Sequence, residues 1–109
     1  MKCIFCKIIK KEIPTNIVYE TGNLIAFKDI HPKAKIHFLI LPKKHITSVK
    51  HLNKKDKELI GEIILTAQKI AKEKKLKGYK LIINVGREGG QIIDHLHLHL
   101  LSGKKIELP

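Results

Sequence analysis

The chain has no tryptophan, one methionine, two cysteines and a single arginine, Arg87. Two thiols cannot frame a disulfide-stapled domain, so the fold must rest on an apolar core. Acidic residues are also scarce: ten Asp and Glu stand against 22 Lys and Arg, a formal net charge of +12. A basic chain invites anionic partners such as nucleic acid, a membrane surface or phosphorylated small molecules. Base-reading proteins depend on the forked guanidinium, which lysine cannot imitate, so nucleic acid is not expected as the main partner. No apolar run approaches the roughly 20 residues of a membrane-spanning helix, and no membrane role is expected. The opening "MKCIFCKIIKKEIP" has too short an apolar stretch and too many lysines for a secretory signal, which points to a cytoplasmic protein. A length of 109 residues, 43% hydrophobic and 29% charged, suits one globular domain over 1–109.

What the chain does have is histidine in an ordered pattern. In "DHLHLHLLSG", His95, His97 and His99 alternate with Leu96, Leu98 and Leu100. In a β-strand this alternation sends the leucines to one face and the imidazoles to the other, neighbours on one face lying roughly 6.6 Å apart. Such a row suits either a metal site or a phosphate-handling site with a histidine nucleophile and histidine donors. The preceding "VGREGGQ" has adjacent glycines through which backbone amides can approach a phosphate.

The rest of the pattern predicts an α+β domain. "FCKIIKKE" has helical spacing and stops before Pro14. "NIVYE" and "LIAFKD" form a hairpin around Gly22, and "KIHFLILP" is a strand closed by Pro42. Apolar residues at Leu59, Ile60, Ile63, Ile64, Ala67, Ile70 and Ala71 mark a long helix, capped at Asn53 and stopped at Gly78. "YKLIINVG" and "HLHLHLLS" add two strands, which gives five antiparallel strands with one long helix on one face and a short N-terminal helix.

Three blocks, "CIFCKIIKKEIP", "AFKDIHPKAKIHFLILPKKH" and "GGQIIDHLHLHLL", resemble in order those of the histidine triad (HIT) superfamily, in particular its Hint branch of nucleotide-binding proteins. The resemblance covers almost the whole chain. It implies cleavage of nucleoside 5′-monophosphate conjugates, AMP phosphoramidates and acyl-AMP among them, through a covalent nucleotidyl-histidine. His97 would be the nucleophile, His99 and His37 would lie at the phosphate, and His95 would orient His97. Asp29 would hold the ribose hydroxyls. Ile4, Phe5, Ile8, Phe27 and Ile30 would surround the base, with Asn84, Gly90 and Gln91 near the phosphate. From pattern alone the five apolar residues read as core.

The same resemblance implies a structural zinc ion on Cys3, Cys6, His45 and His95, with no organic cofactor, and a homodimer. The alternative for the cysteines is two small buried hydrophobes. Purine nucleoside monophosphates and their conjugates are the expected partners. His31 and His51 match no motif and read as solvated. Two departures stand out: Ile92 replaces the small polar residue usual after "GGQ", and Asp94 stands at a position usually aromatic. The first removes a donor near the scissile bond. A dinucleoside polyphosphate hydrolase of the Fhit type, or a binding module with incidental catalysis, are the competing functions; the short tail "SGKKIELP" fits Hint better.

Overall fold

Strict alternation of side chains gives the sheet two different faces. The computed structural model describes residues 3–103. Its elements are α1 (Ile4–Ile9), β1 (Ile17–Glu20), β2 (Leu24–Lys28), β3 (Ile36–Pro42), α2 (Lys57–Glu73), β4 (Lys80–Ile82) and β5 (Leu98–Ser102), with three single 3₁₀ turns between them. The strands form one sheet in the order β1-β2-β3-β5-β4, and every neighbouring pair is antiparallel. Leu24 and Ala26 of β2, Phe38 and Ile40 of β3, and Leu98 and Leu100 of β5 pack against Ile63, Ala67 and Ile70 of α2. Residues one step out of phase, Ile25, Phe27, Leu39 and Leu41, face the other way and are covered by Cys3, Phe5 and Ile8 of the N-terminal segment. Leu98 and Leu100 therefore belong to the α2 side and His99 to the α1 side, as the alternation requires.

Local chemistry sets the boundaries. The β1–β2 turn is held by Thr21, whose Oγ1 accepts from the amides of Asn23 (3.2 Å) and Leu24 (3.1 Å). Asn53 and Asp56 form a reciprocal capping box, but around a 3₁₀ turn at Lys54–Asp56, so α2 begins at Lys57 rather than directly at the Asn53 cap. Its end also falls short of Gly78. The helix stops at Glu73, and Lys75 takes the left-handed conformation (φ 57°) while the amide of Leu76 bonds the Ala71 carbonyl at 2.9 Å. Lys11 (φ 65°) ends α1 the same way, with Glu12 N bonding Lys7 O at 2.8 Å. These are Schellman closures made by lysine instead of glycine, a choice no glycine-based reading finds. Strand β4 is likewise shorter than "YKLIINVG" suggests, covering only Lys80–Ile82. Among the described residues no helix is long and apolar enough to cross a membrane. The tail from Lys104 to Pro109, used above to compare Hint with Fhit, lies outside the described residues.

Candidate active site

The histidine row is not one continuous strand. Strand β5 starts at Leu98, so only His99 lies within it; His95 and His97 sit in the segment that leads into it. A bend, in which His95 N bonds Ile93 O at 2.9 Å, turns the chain just before the row. His95 is completely buried, next to the two cysteines. His97 and His99 stay together, ring centroids 4.9 Å apart, and His99 reaches across the ladder to His37 on β3, Nδ1 to Nε2, at 2.9 Å. The row thus divides into a cysteine-side ring, His95, and a pair of which His99 belongs to a polar cluster with His37 and Asp29.

Hydrogen bonds fix which nitrogen of each ring is bare. The Nδ1 of His97 lies 2.7 Å from the His95 carbonyl, so Nδ1 must donate and Nε2 of the neutral ring keeps its lone pair. Nε2 of His95 donates to the Pro42 carbonyl at 2.8 Å, which leaves its Nδ1 bare and facing Cys3 and Cys6. Phe5 packs its ring edgewise on His97, centroids 5.1 Å apart, and on Phe27 at 5.6 Å.

The residues assigned to a nucleoside are less uniform. Phe5, Ile8 and Phe27 are buried in the α1-side core, whereas Ile30 is 77% exposed and Ile4 43%. Asp29 accepts from the His31 amide at 2.9 Å through Oδ1 and brings Oδ2 within 3.4 Å of His37 Nε2. It also lines a hollow of about 490 Å³ together with Pro14, Thr15, Asn16, Lys28 and Ile30, of which the first four are additions to the sequence-based set. Asn84 donates to Gly89 O at 2.9 Å, next to Gly90, which has φ 89°. Gln91, expected near the phosphate, bonds within the protein. Its Oε1 accepts from Gly86 N, and its Nε2 donates to Thr47 O and Ile93 O, so the buried amide spends its hydrogens on the loop. His31 and His51 are exposed; His51 Nδ1 meets Ser48 Oγ at 3.2 Å.

The loop has one further brace. Arg87 grips both oxygens of Asp94, at 2.8 and 2.9 Å, and donates to Gln91 O at 2.7 Å. The guanidinium holds the Asp94 carboxyl below its ordinary range. Asp94, the departure from an aromatic, thus pairs with the only arginine of the chain.

Behind His97, four side chains gather from distant parts of the chain. Cys6 Sγ lies 3.2 Å from His45 Nδ1 and 3.6 Å from His95 Nδ1; Cys3 Sγ lies 3.5 Å from His95 Nδ1. A tetrahedral zinc with bonds of about 2.3 Å to sulfur and about 2.05 Å to nitrogen requires S–N separations of roughly 3.6 Å. The donor set therefore fits that ion in type and spacing. Cys3 Sγ also accepts from the Cys6 amide at 3.3 Å, so one residue caps α1 and faces the cluster. Burial, followed by the neighbouring Cys3, pushes the Cys6 thiol up.

Comparison with known proteins agrees with this geometry. Residues 2–107 match the family model described as "Scavenger mRNA decapping enzyme C-term binding". An uncharacterized HIT-like protein of Buchnera aphidicola is 48% identical over 106 residues, covering 95% of this chain and 93% of that protein. A HIT family hydrolase from Legionella pneumophila superposes with a TM-score of 0.96 at 45% identity, covering 99% of this chain and 98% of that one. A histidine triad protein from Clostridium difficile gives 0.95 at 43% identity, over 100% and 96%.

The chain belongs to the HIT family. In this HIT domain four imidazoles are shifted in one direction. Desolvation lowers the pKa of His37, His95, His97 and His99, and for His99 the value falls to about 4, with repulsion from His97 and His37 adding to burial. A folded-state pKa below the unfolded one means that the unfolded chain binds more protons between about pH 6.5 and about pH 4. Stability is therefore full above about pH 6.5 and falls as acid is added through that window. His99 contributes a substantial part of this loss, moderated by its partial exposure to solvent. Chemical denaturation at about pH 7 and about pH 4.5 will read it; equal midpoints would contradict the burial argument.

Proposed function

We infer that this HIT domain hydrolyses nucleoside 5′-monophosphate conjugates, AMP phosphoramidates and acyl-AMP, through a nucleotidyl group carried on His97. The observation that carries this reading is the bond from His97 Nδ1 to the His95 carbonyl at 2.7 Å. It leaves Nε2 with its lone pair, in a ring held neutral by burial.

Nε2 attacks phosphorus; the P–N bond to His97 forms as the bond to the leaving group breaks, a carboxylate departing as the anion and an amine departing with a proton taken from solvent, which the later attack of water returns. Positive charge on the new imidazolium is met at Nδ1–H by the His95 carbonyl. Water then attacks phosphorus, the P–N bond breaks, the nucleoside monophosphate departs and the ring regains its lone pair. His99 supplies an N–H donor to the phosphate oxygens, with His37 bonded behind it, and Asp29, beside the hollow, accepts from the ribose hydroxyls. Zinc held by Cys3, Cys6, His45 and His95 would be structural: it ties α1 to the segment before β5 and steadies His95.

Turnover on a panel of AMP amidates, acyl-AMP, a dinucleoside polyphosphate and guanosine equivalents tests the assignment. Mass spectrometry should trap a nucleotidyl adduct on His97. Preference for the dinucleotide would select the Fhit-type alternative, and binding without turnover the interaction module.

The departure at Ile92 gives a separate expectation. Its side chain is 83% exposed on the loop before the row and offers no hydrogen bond to a leaving amine. Ile92→Ser should raise phosphoramidate turnover, by up to about tenfold for one added hydrogen bond. An unchanged or lower rate would refute the role given to the missing hydroxyl.

A further inference from the structure

We propose that the peptide N–H of Lys33 is a positioning group: it fixes the tautomer of His37 and, through it, of His99, so that the Asp29–His37–His99 cluster is held as a relay ending in the Nε2–H donor of His99 and barred from binding a divalent cation. The proposal deepens the reading above, since it says how the donor at the phosphate, His99, comes to carry its proton on Nε2.

Lys33 N lies 3.0 Å from His37 Nδ1. A backbone amide can only donate, so Nδ1 must offer a lone pair, and the proton of the neutral ring is on Nε2. That Nε2 lies 2.9 Å from His99 Nδ1 and 3.4 Å from Asp29 Oδ2. The reverse bond, His99 donating to His37, would need both His37 nitrogens bare, which is an imidazolate. His99 therefore accepts at Nδ1 and carries its own proton on Nε2. The direction of each bond is set by one peptide group in the loop between β2 and β3.

Distances alone suggest something different. The ligand atoms of Asp29, His37 and His99 all lie within 4.8 Å of one another, as do those of the Cys3–Cys6–His45–His95 cluster. The separations of 2.9 and 3.4 Å are close to the roughly 3.3 Å that a tetrahedral ion with bonds of about 2.0–2.1 Å requires. Coordination through His37 Nε2, however, requires that atom to be bare and puts the ring proton on Nδ1, facing the Lys33 N–H. Two donors would then meet head-on, and the buried ring would lose its bond to the loop.

The cysteine-side cluster has the opposite polarity. There His95 donates its outer N–H to a carbonyl, Pro42 O, and turns a lone pair inward, the arrangement a metal-ligating imidazole needs. Two histidine clusters of similar spacing are thus sorted by the backbone group behind one ring of each: a carbonyl prepares His95 for a cation, and an amide, through His37, prepares His99 for an anion.

Ring nitrogen shifts of ¹⁵N-labelled protein test the wiring directly. Both His37 and His99 should show bare Nδ1 and protonated Nε2. Cobalt(II) titration of zinc-saturated protein should show no further binding. Lys33→Pro removes the N–H; it should shift the His37 tautomer and add one cobalt equivalent, lost again when Asp29→Asn is introduced. Lys33→Ala keeps the N–H and should match the parent chain. A wild-type His37 protonated at Nδ1 overturns the proposal, as does an Asp29-dependent cobalt site in the wild type, or a folded Lys33→Pro protein with neither change. If Lys33→Pro does not fold, the wild-type spectrum and titration decide. None of these readouts involves turnover, so failure here is distinct from failure to find an adduct on His97.

Discussion

Substituting alanine for His97 is expected to lower turnover of an AMP phosphoramidate by about ten-thousand-fold or more, with AMP affinity changed far less. The size follows from the role. A nucleophile splits one difficult displacement into two easier ones, and nothing nearby is placed to replace it: His95 has committed both ring nitrogens and its carbonyl to neighbours, and His99 meets His37 through Nδ1. Binding should survive because Asp29 and the hollow beside it are untouched. The ring also packs on Phe5, so a thermal melt of the variant must accompany the kinetics to show that the fold is intact. Turnover within tenfold of the parent in a folded variant would end the covalent route. Loss of AMP binding together with turnover would instead make His97 a binding residue.

Removal of metal is the second large effect. Protein purified without added metal or chelator should contain one zinc per chain, and a strong chelator or Cys6→Ser should lower the melting temperature by more than about 10 °C. A structural zinc joins folding free energy to binding free energy, an apparent ~10–16 kcal/mol in small zinc domains. Here the four donors join α1, the segment after β3 and the segment before β5, which are far apart in sequence. Without the cation two crowded thiols remain, Cys6 held protonated by burial and by Cys3. Turnover should fall too, but by less than in His97→Ala, because the His95 carbonyl can still accept from His97 when the ring behind it loosens. Zero zinc in such a preparation would refute the centre.

The sequence made the two-faced sheet legible because period-two alternation in "KIHFLILP" and "HLHLHLLS" leaves little freedom: a shift by one residue would bury imidazoles under α2 and expose leucines. It also made the cluster members legible, since the resemblance to HIT proteins named all four potential metal ligands and the His37–His97–His99 group. The helix ends were not legible, because Lys11 and Lys75 occupy a left-handed conformation that their residue type does not announce. Nor was the split of the histidine row, which depends on the bend at Ile93–His95, or the full commitment of the Gln91 amide to loop carbonyls. The Arg87–Asp94 pair left a usable signal, a lone arginine seven residues before an acid in an aromatic's place, that the sequence reading did not follow. The amide of Lys33 left none, because every residue except proline carries one.

The opposed faces of the sheet also govern how this molecule can change over generations. Cohesion is concentrated where Leu98, Leu100 and Phe38 meet α2, whereas the imidazoles and Asp29 lie on the reverse side. Mutational drift around the proposed nucleotide site, at Ile30 or Ile92 for instance, therefore draws little on the reserve that keeps the chain folded. Such a scaffold can be retuned toward new leaving groups one exposed side chain at a time.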